Sequence, residues 1–139
     1  MSAQSVVDGL YLFNQSPDHR IYTLVEFNHF LVFPIIHQKV RFFYEDGKPI
    51  GLVTWCWLTE QEADEFLAER FMPDEEHYRR PDDPQYQYQL WGIEFIAPFG
   101  HAKQVMREMR EFHNTQRGSK EKVRWRRLKA PDREIRRTF

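Results

Sequence analysis

The run Ile50 to Leu58, IGLVTWCWL, is mostly apolar on both of its faces: Leu52, Thr54 and Cys56 on one, Val53, Trp55 and Trp57 on the other. Successive strand residues point to opposite sides of a sheet. A strand apolar on both sides must be covered on both sides, which places it at the centre of a sheet flanked by helices. Just upstream, Glu45-Asp46-Gly47-Lys48 carries Asp-Gly at its centre, a two-residue hairpin turn. Val40 to Tyr44 is therefore the antiparallel partner. A chain of 139 residues is long enough to bury such a core as one domain.

The remaining elements follow from caps and periodicity. Ser16-Pro17-Asp18-His19 predicts a helix start, with Ser16 as cap and Pro17 in the first helical position. Leu24, Phe27 and Leu31 continue it at helical spacing, and Pro34 is expected to stop it. Thr59-Glu60-Gln61-Glu62 predicts a capping box, followed by the stripe Ala63, Phe66, Leu67. Residues 72–87, with three prolines, are expected to form a loop. Tyr88 to Ala97 predicts a strand. Pro98-Phe99-Gly100 turns into a helix with Ala102, Val105, Met106, Met109 and Phe112 on its apolar face, ending over Asn114 to Gly118. Val123 to Leu128 predicts a last strand. Residues 1–130 thus form one domain, and 131–139 a basic tail. A hairpin followed by strand, helix and strand is an α/β arrangement with helices on the faces of the sheet.

Several chemistries are excluded. One cysteine, Cys56, cannot build a disulfide framework or a cysteine-rich zinc site, and mid-strand it reads as a buried, inert thiol. The six histidines do not pair at zinc-site spacing, so no metal is expected. Neither a phosphate-binding glycine loop nor a G-x-S-x-G elbow occurs. No stretch approaches 18 apolar residues, and the start, MSAQSVVDG, lacks a signal-peptide pattern, so the expectation is a cytoplasmic protein without a membrane span.

Two residues remain ambiguous. Glu94 lies within the apolar run LWGIEFIAPFG. It either faces solvent or faces a site where its charge is partnered. His19, at the predicted helix start, is either a surface histidine or a neutral imidazole able to accept a proton. Together they have the composition of a general base and its charged partner. Charge is also uneven. Residues 1–100 hold 7 Lys+Arg against 16 Asp+Glu, whereas residues 101–139 hold 13 against 5. A basic end of this kind either neutralises the acidic part within the fold or suits an acidic partner.

The pair Ser16-Pro17-x-His19 and Ile93-Glu94-Phe95-Ile96-Ala97-Pro98-Phe99-Gly100 resembles the toxin-activating lysine acyltransferases of RTX toxins. Lys48-Pro49-Ile50-Gly51 leading into Trp55 fits the same resemblance, which spans most of the chain. It implies a GNAT-like fold, a mixed and mainly antiparallel sheet with helices on both faces. It also implies transfer of a fatty acyl group from acyl carrier protein to internal lysines of a protoxin or another protein acceptor. On this resemblance His19 and Glu94 are the catalytic residues, with Glu94 where the family usually has aspartate, and Ser16 supports them. Backbone N–H groups near Phe99 and Gly100 would hold the donor or an oxyanion. Arg124, Arg126 and Arg127 would dock the carrier, with no resident cofactor and a homodimer left open. The competing class is a non-catalytic binding or inhibitor module on a degenerate acyltransferase fold. In it, Val123-Arg124-Trp125-Arg126-Arg127-Leu128-Lys129 offers an acidic protein or nucleic acid a basic, aromatic surface.

Overall fold

A computed structural model describes residues 2–82, 87–117, 122–130 and 133–138. The chain forms α1 (Ala3–Gln15), α2 (Leu24–Phe27), a π-helical turn (Asn28–Val32), α3 (Phe33–Ile36), β1 (Val40–Glu45), β2 (Lys48–Leu58), α4 (Glu60–Leu67), α5 (Glu75–Arg79), β3 (Gln89–Ile96), α6 (Ala102–Arg117), β4 (Val123–Ala130) and β5 (Arg133–Thr138). The strands make one sheet in the order β1-β2-β3-β4-β5. Every neighbouring pair is antiparallel except β3–β4. This is the mixed, mainly antiparallel α/β architecture expected, consistent with a GNAT-like fold.

The β1–β2 hairpin turns through Asp46 and Gly47, both at positive φ (51° and 76°). Two positive φ values make the turn that matches strand twist, which is why Asp-Gly sits there. β2 is buried from Ile50 to Leu58 and separates two layers. On one face Val53, Trp55 and Trp57 cluster with Leu90, with Val105 and Met109 of α6, and with Val123 and Trp125. On the other, Leu52 and Ile96 cluster with Leu12, Phe13, Leu31 and Ile35, while Cys56, Leu58 and Trp91 cluster with Ala63, Phe66, Leu67 and Tyr78. α6 therefore covers one face and α1 to α5 the other.

The N-terminal region differs from the sequence reading. Ser16 does not start a helix; it ends one, α1, in extended backbone (φ −94°, ψ 118°). Pro17 to Ile21 form a turn, and the following helix begins at Thr23, whose capping box with Glu26 is complete. Thr23 and Glu26 satisfy two backbone N–H groups reciprocally, whereas the Ser16 hydroxyl is engaged by the His19 ring. α1 escapes detection because its buried side holds Asp8 and Gly9 beside Leu12 and Phe13, while Val7, Leu10 and Tyr11 are exposed. Gly9 is small for a reason: a Cβ there would lie 2.5 Å from the Leu31 side chain. Pro34 does not stop the chain's helical course. A π-helical turn precedes it, with Phe33 N–H bonded to Asn28 C=O, and helix continues to Ile36.

Two further segments are more ordered than expected. Residues 75–79 of the expected loop are α5, too short to show a period; Pro84 lies outside the described residues. Arg133–Thr138, expected to be tail, pairs antiparallel with β4 as an edge strand. Gly118, at the expected end of α6, is outside the described residues, and the helix runs to Arg117.

Helices α4 and α5 are joined through Glu62. Its carboxylate accepts two bonds from the Arg80 guanidinium, at 2.7 and 3.0 Å, and lies 3.0 Å from His77 Nε2. His77 Nδ1 accepts the Asp74 N–H, so its proton is on Nε2 and points to Glu62. Burial alone would push the Glu62 carboxyl up, but the Arg80 bonds outweigh it and hold the group at about 2, against an ordinary 4.5. A carboxyl depressed on folding contributes stability that is complete above its unfolded value and is lost as pH falls toward the folded value. Acid titration of the melting temperature should therefore show a loss between pH 4.5 and about 2 that is reduced in Glu62→Gln. Parallel curves for the two proteins would rule Glu62 out as the acid-sensitive link.

Candidate active site

The turn after α1 carries His19, framed by bonds from His19 N–H and Arg20 N–H to Ser16 C=O, both 3.0 Å. The imidazole packs edge-on against Phe13, with centroids 5.4 Å apart, and beside Tyr22 at 5.2 Å. Nδ1 lies 2.6 Å from Ser16 Oγ, and Nε2 lies 2.6 Å from Glu94 Oε2. A carboxylate only accepts, so Nε2 carries the proton in the neutral ring. The Nδ1 lone pair then accepts the Ser16 hydroxyl. Ser16, His19 and Glu94, spread over 78 positions, thus form one hydrogen-bonded row. Ser16 and Glu94 are buried at 8% and 7% exposure, and the His19 side chain keeps 13%.

Glu94 reaches this row through an irregularity in the sheet. β2 and β3 pair Leu52 with Ile96 and Val53 with Phe95, then Trp55 with Gly92. Two residues of β3, Ile93 and Glu94, therefore stand opposite Thr54 alone. Such a bulge shifts the alternation by one and re-aims the side chains beyond it. Counted by twos from Trp91, Glu94 would face α6. The extra residue instead turns it to the layer of Trp91, Ile93 and Ile96, under α1. The buried Thr54 hydroxyl accepts the Glu94 N–H at 3.0 Å. Of the two readings of Glu94, the solvent-facing one is excluded.

One partner was not anticipated from the sequence. The Tyr22 hydroxyl donates to Glu94 Oε1 at 2.8 Å. Burial first, then the Glu94 charge, pushes this phenol well above its ordinary 10, so it remains a donor. Its ring also meets Phe13 and Phe30. Position alone gave a signal, since Tyr22 lies three residues after His19, but the turn that brings them together is not periodic.

The other candidates are placed elsewhere. Phe99 and Gly100 are exposed in the turn into α6; Phe99 leans on Tyr11 of α1, and Gly100 has φ +87°. Arg124 is half-buried on β4. Arg126 faces inward, its guanidinium 4.1 Å over the Phe66 ring and donating to Phe66 C=O. The side chain of Arg127 lies outside the described residues. Trp125, between these arginines, is buried against Gly92, where a Cβ would lie 2.2 Å from its ring. Cys56 is fully buried, and burial pushes its thiol up. Among the described residues, no three His, Cys, Asp or Glu side chains are grouped to hold a metal. No helix among them is long and apolar enough to cross a membrane.

Comparison with known proteins adds the following. Residues 7–138 match the HlyC family, described as the RTX toxin acyltransferase family. A Vibrio cholerae serotype O1 protein named lysine-acyltransferase RtxC is 32% identical over 110 residues, covering 77% of this chain and 67% of that protein. An uncharacterised Synechocystis protein, sll0720, is 29% identical over 66 residues, covering 48% of this chain and 41% of that protein.

The bulge makes a stability prediction. Thr54→Val keeps the shape but leaves the buried Glu94 N–H without an acceptor, a cost of roughly 1–3 kcal/mol. Urea unfolding should show that loss, and Thr54→Ser should recover most of it. A valine variant as stable as the parent would mean that the hydroxyl is not what holds the bulge.

Proposed function

This chain belongs to the RTX toxin acyltransferase family, and from that premise we propose that it moves a fatty acyl group from acyl carrier protein to lysine ε-amines of a protoxin. The observation that carries this reading is the Ser16–His19–Glu94 row, with the imidazole held between a hydroxyl and a carboxylate at 2.6 Å each. Acyl carrier protein is preferred as donor because the chain lacks the Gln/Arg-x-x-Gly-x-Gly/Ala signature by which GNAT enzymes hold coenzyme A. The setting proposed is the cytoplasm.

Lysine has an ordinary pKa of about 10.4, so it must be deprotonated to attack a thioester. Nε2 of His19 is committed to Glu94, so the nitrogen that takes the proton is Nδ1, with Ser16 Oγ on its path. The ammonium first gives one proton to solvent. The neutral amine nitrogen then bonds to the acyl carbon, its second proton passes to Nδ1, the C–S bond breaks, and the imidazolium returns that proton to the departing sulfur. Glu94 balances the transient positive charge. The N–H groups of Phe99 and Gly100, at the start of α6, are the proposed cradle for the carbonyl oxygen or the carrier's phosphate.

The exposed cations of α6, Lys103, Arg107 and Arg110, are the proposed docking surface for an acidic carrier. Arg124 alternates with the inward Trp125 to the other face of the sheet and does not share it. The inward commitment of Arg126 and the burial of Trp125 argue against a nucleic-acid stacking surface on β4.

His19→Ala should lower acyl transfer from a loaded carrier by about 10²–10⁴-fold while leaving the fold intact. A folded alanine variant that keeps a tenth of the rate would remove His19 from the chemistry. Carrier affinity should fall as salt is added, and fall further on charge reversal of Lys103 and Arg107. Equal affinities at low and high ionic strength would place the docking surface elsewhere.

A further inference from the structure

We infer that Tyr22 is a positioning residue for the acyl-transfer site, holding the Glu94 carboxylate in the orientation that presents Oε2 to His19. The inference rests on the acyltransferase reading above and extends it to a residue that the motif does not contain. The glutamate side chain has one more rotor than aspartate and could swing its carboxylate away from the imidazole. The opposite oxygen, Oε1, is tied to the Tyr22 hydroxyl at 2.8 Å while Oε2 meets Nε2 at 2.6 Å. With both oxygens bonded and the Glu94 N–H bound to Thr54, the carboxylate is fixed at both ends of its side chain. An aspartate at this position would stop one C–C bond short, roughly 1.5 Å, and could not hold both partners without a backbone shift. Tyr22 is itself fixed by Phe13 and Phe30, with ring centroids 5.6 and 5.5 Å away, so its hydroxyl is a rigid anchor. Because the phenol stays protonated, it restrains the carboxylate without competing for the His19 proton.

The test is a double-mutant cycle on the full chain with Tyr22→Phe and Glu94→Ala, read as single-turnover transfer from a loaded carrier. Tyr22→Phe keeps the ring contacts, and thermal melts check that each variant is folded. The expected result is a roughly tenfold fall in rate with unchanged KM for the carrier, the scale of one hydrogen bond to a charged group. In the Glu94→Ala background the same substitution should change the rate less than about twofold, because Tyr22 acts through the carboxylate. The same factor lost in both backgrounds would overturn the inference and leave Tyr22 as packing. A second readout does not need the reaction: the downfield proton resonance of His19 Nε2–H, bound to Glu94, should move in Tyr22→Phe. If the parent protein transfers no acyl group yet this resonance moves, the positioning role stands and the acyltransferase reading falls. If the resonance does not move, the positioning role falls.

Discussion

A carboxylate taken out of water is costly unless every oxygen and its own backbone are bonded, and Glu94 imposes that requirement on the elements around it. Its two oxygens need His19 and Tyr22, which belong to the turn between α1 and α2. Its N–H needs Thr54, on the central strand. The end of α1, the His19 turn, β2 and β3 are thus joined at one side chain. A buried pair of this kind is poor evidence of stability, since apolar replacements often match it. What it does is fix the His19 imidazole at a defined point with only a little solvent access, as the proposed role of that ring requires.

The scaffold that carries this point is stiff. β2 is buried along both faces, and its tryptophans and those of β3 and β4 fill the layers on either side. α6 closes one layer. The other is divided: α1 with the π-helical segment covers the end near Glu94, and α4 with α5 covers the end near Trp91. The Glu62–His77–Arg80 cluster fastens the second pair of helices to the sheet, where Arg80 also bonds Trp57 C=O. The site sits where the two halves of this layer meet.

Charge follows the same division of labour. The acidic excess lies in residues 1–100 and the basic excess in 101–139. Yet sequence charge does not say which cations are free. Arg126 is spent on the Phe66 ring and carbonyl, and the Trp125 beside it is core. A motif that reads as an interleaved aromatic and basic surface is partly the inside of the fold, because Trp125 and Arg126 turn to opposite faces of the sheet and helices cover both.

The hairpin, the central strand, the capping box at Thr59, strand β3 and the core positions Val105 and Met109 of α6 were legible in the sequence because each rests on a local rule of turns, caps or periods. The joint presence of His19 and Glu94 was legible only through resemblance, since they are 75 residues apart and no local rule relates them. α1 was hidden because close approach to Leu31 demands Gly9 on its buried side, and Asp8 there bonds Tyr44. The start of α2 was misplaced because Ser16 ends α1 and its hydroxyl bonds the His19 ring three residues on, not the backbone N–H of a helix start. The face presented by Glu94 belonged to tertiary structure alone. Alternation from Trp91 points it at α6, and the bulge opposite Thr54 reverses that; the adjacent Gly92 is explained by the close approach of Trp125 and does not by itself tell which way Glu94 turns. Pairing register is settled between strands, so the side chain's direction is decided only when β2 and β3 meet.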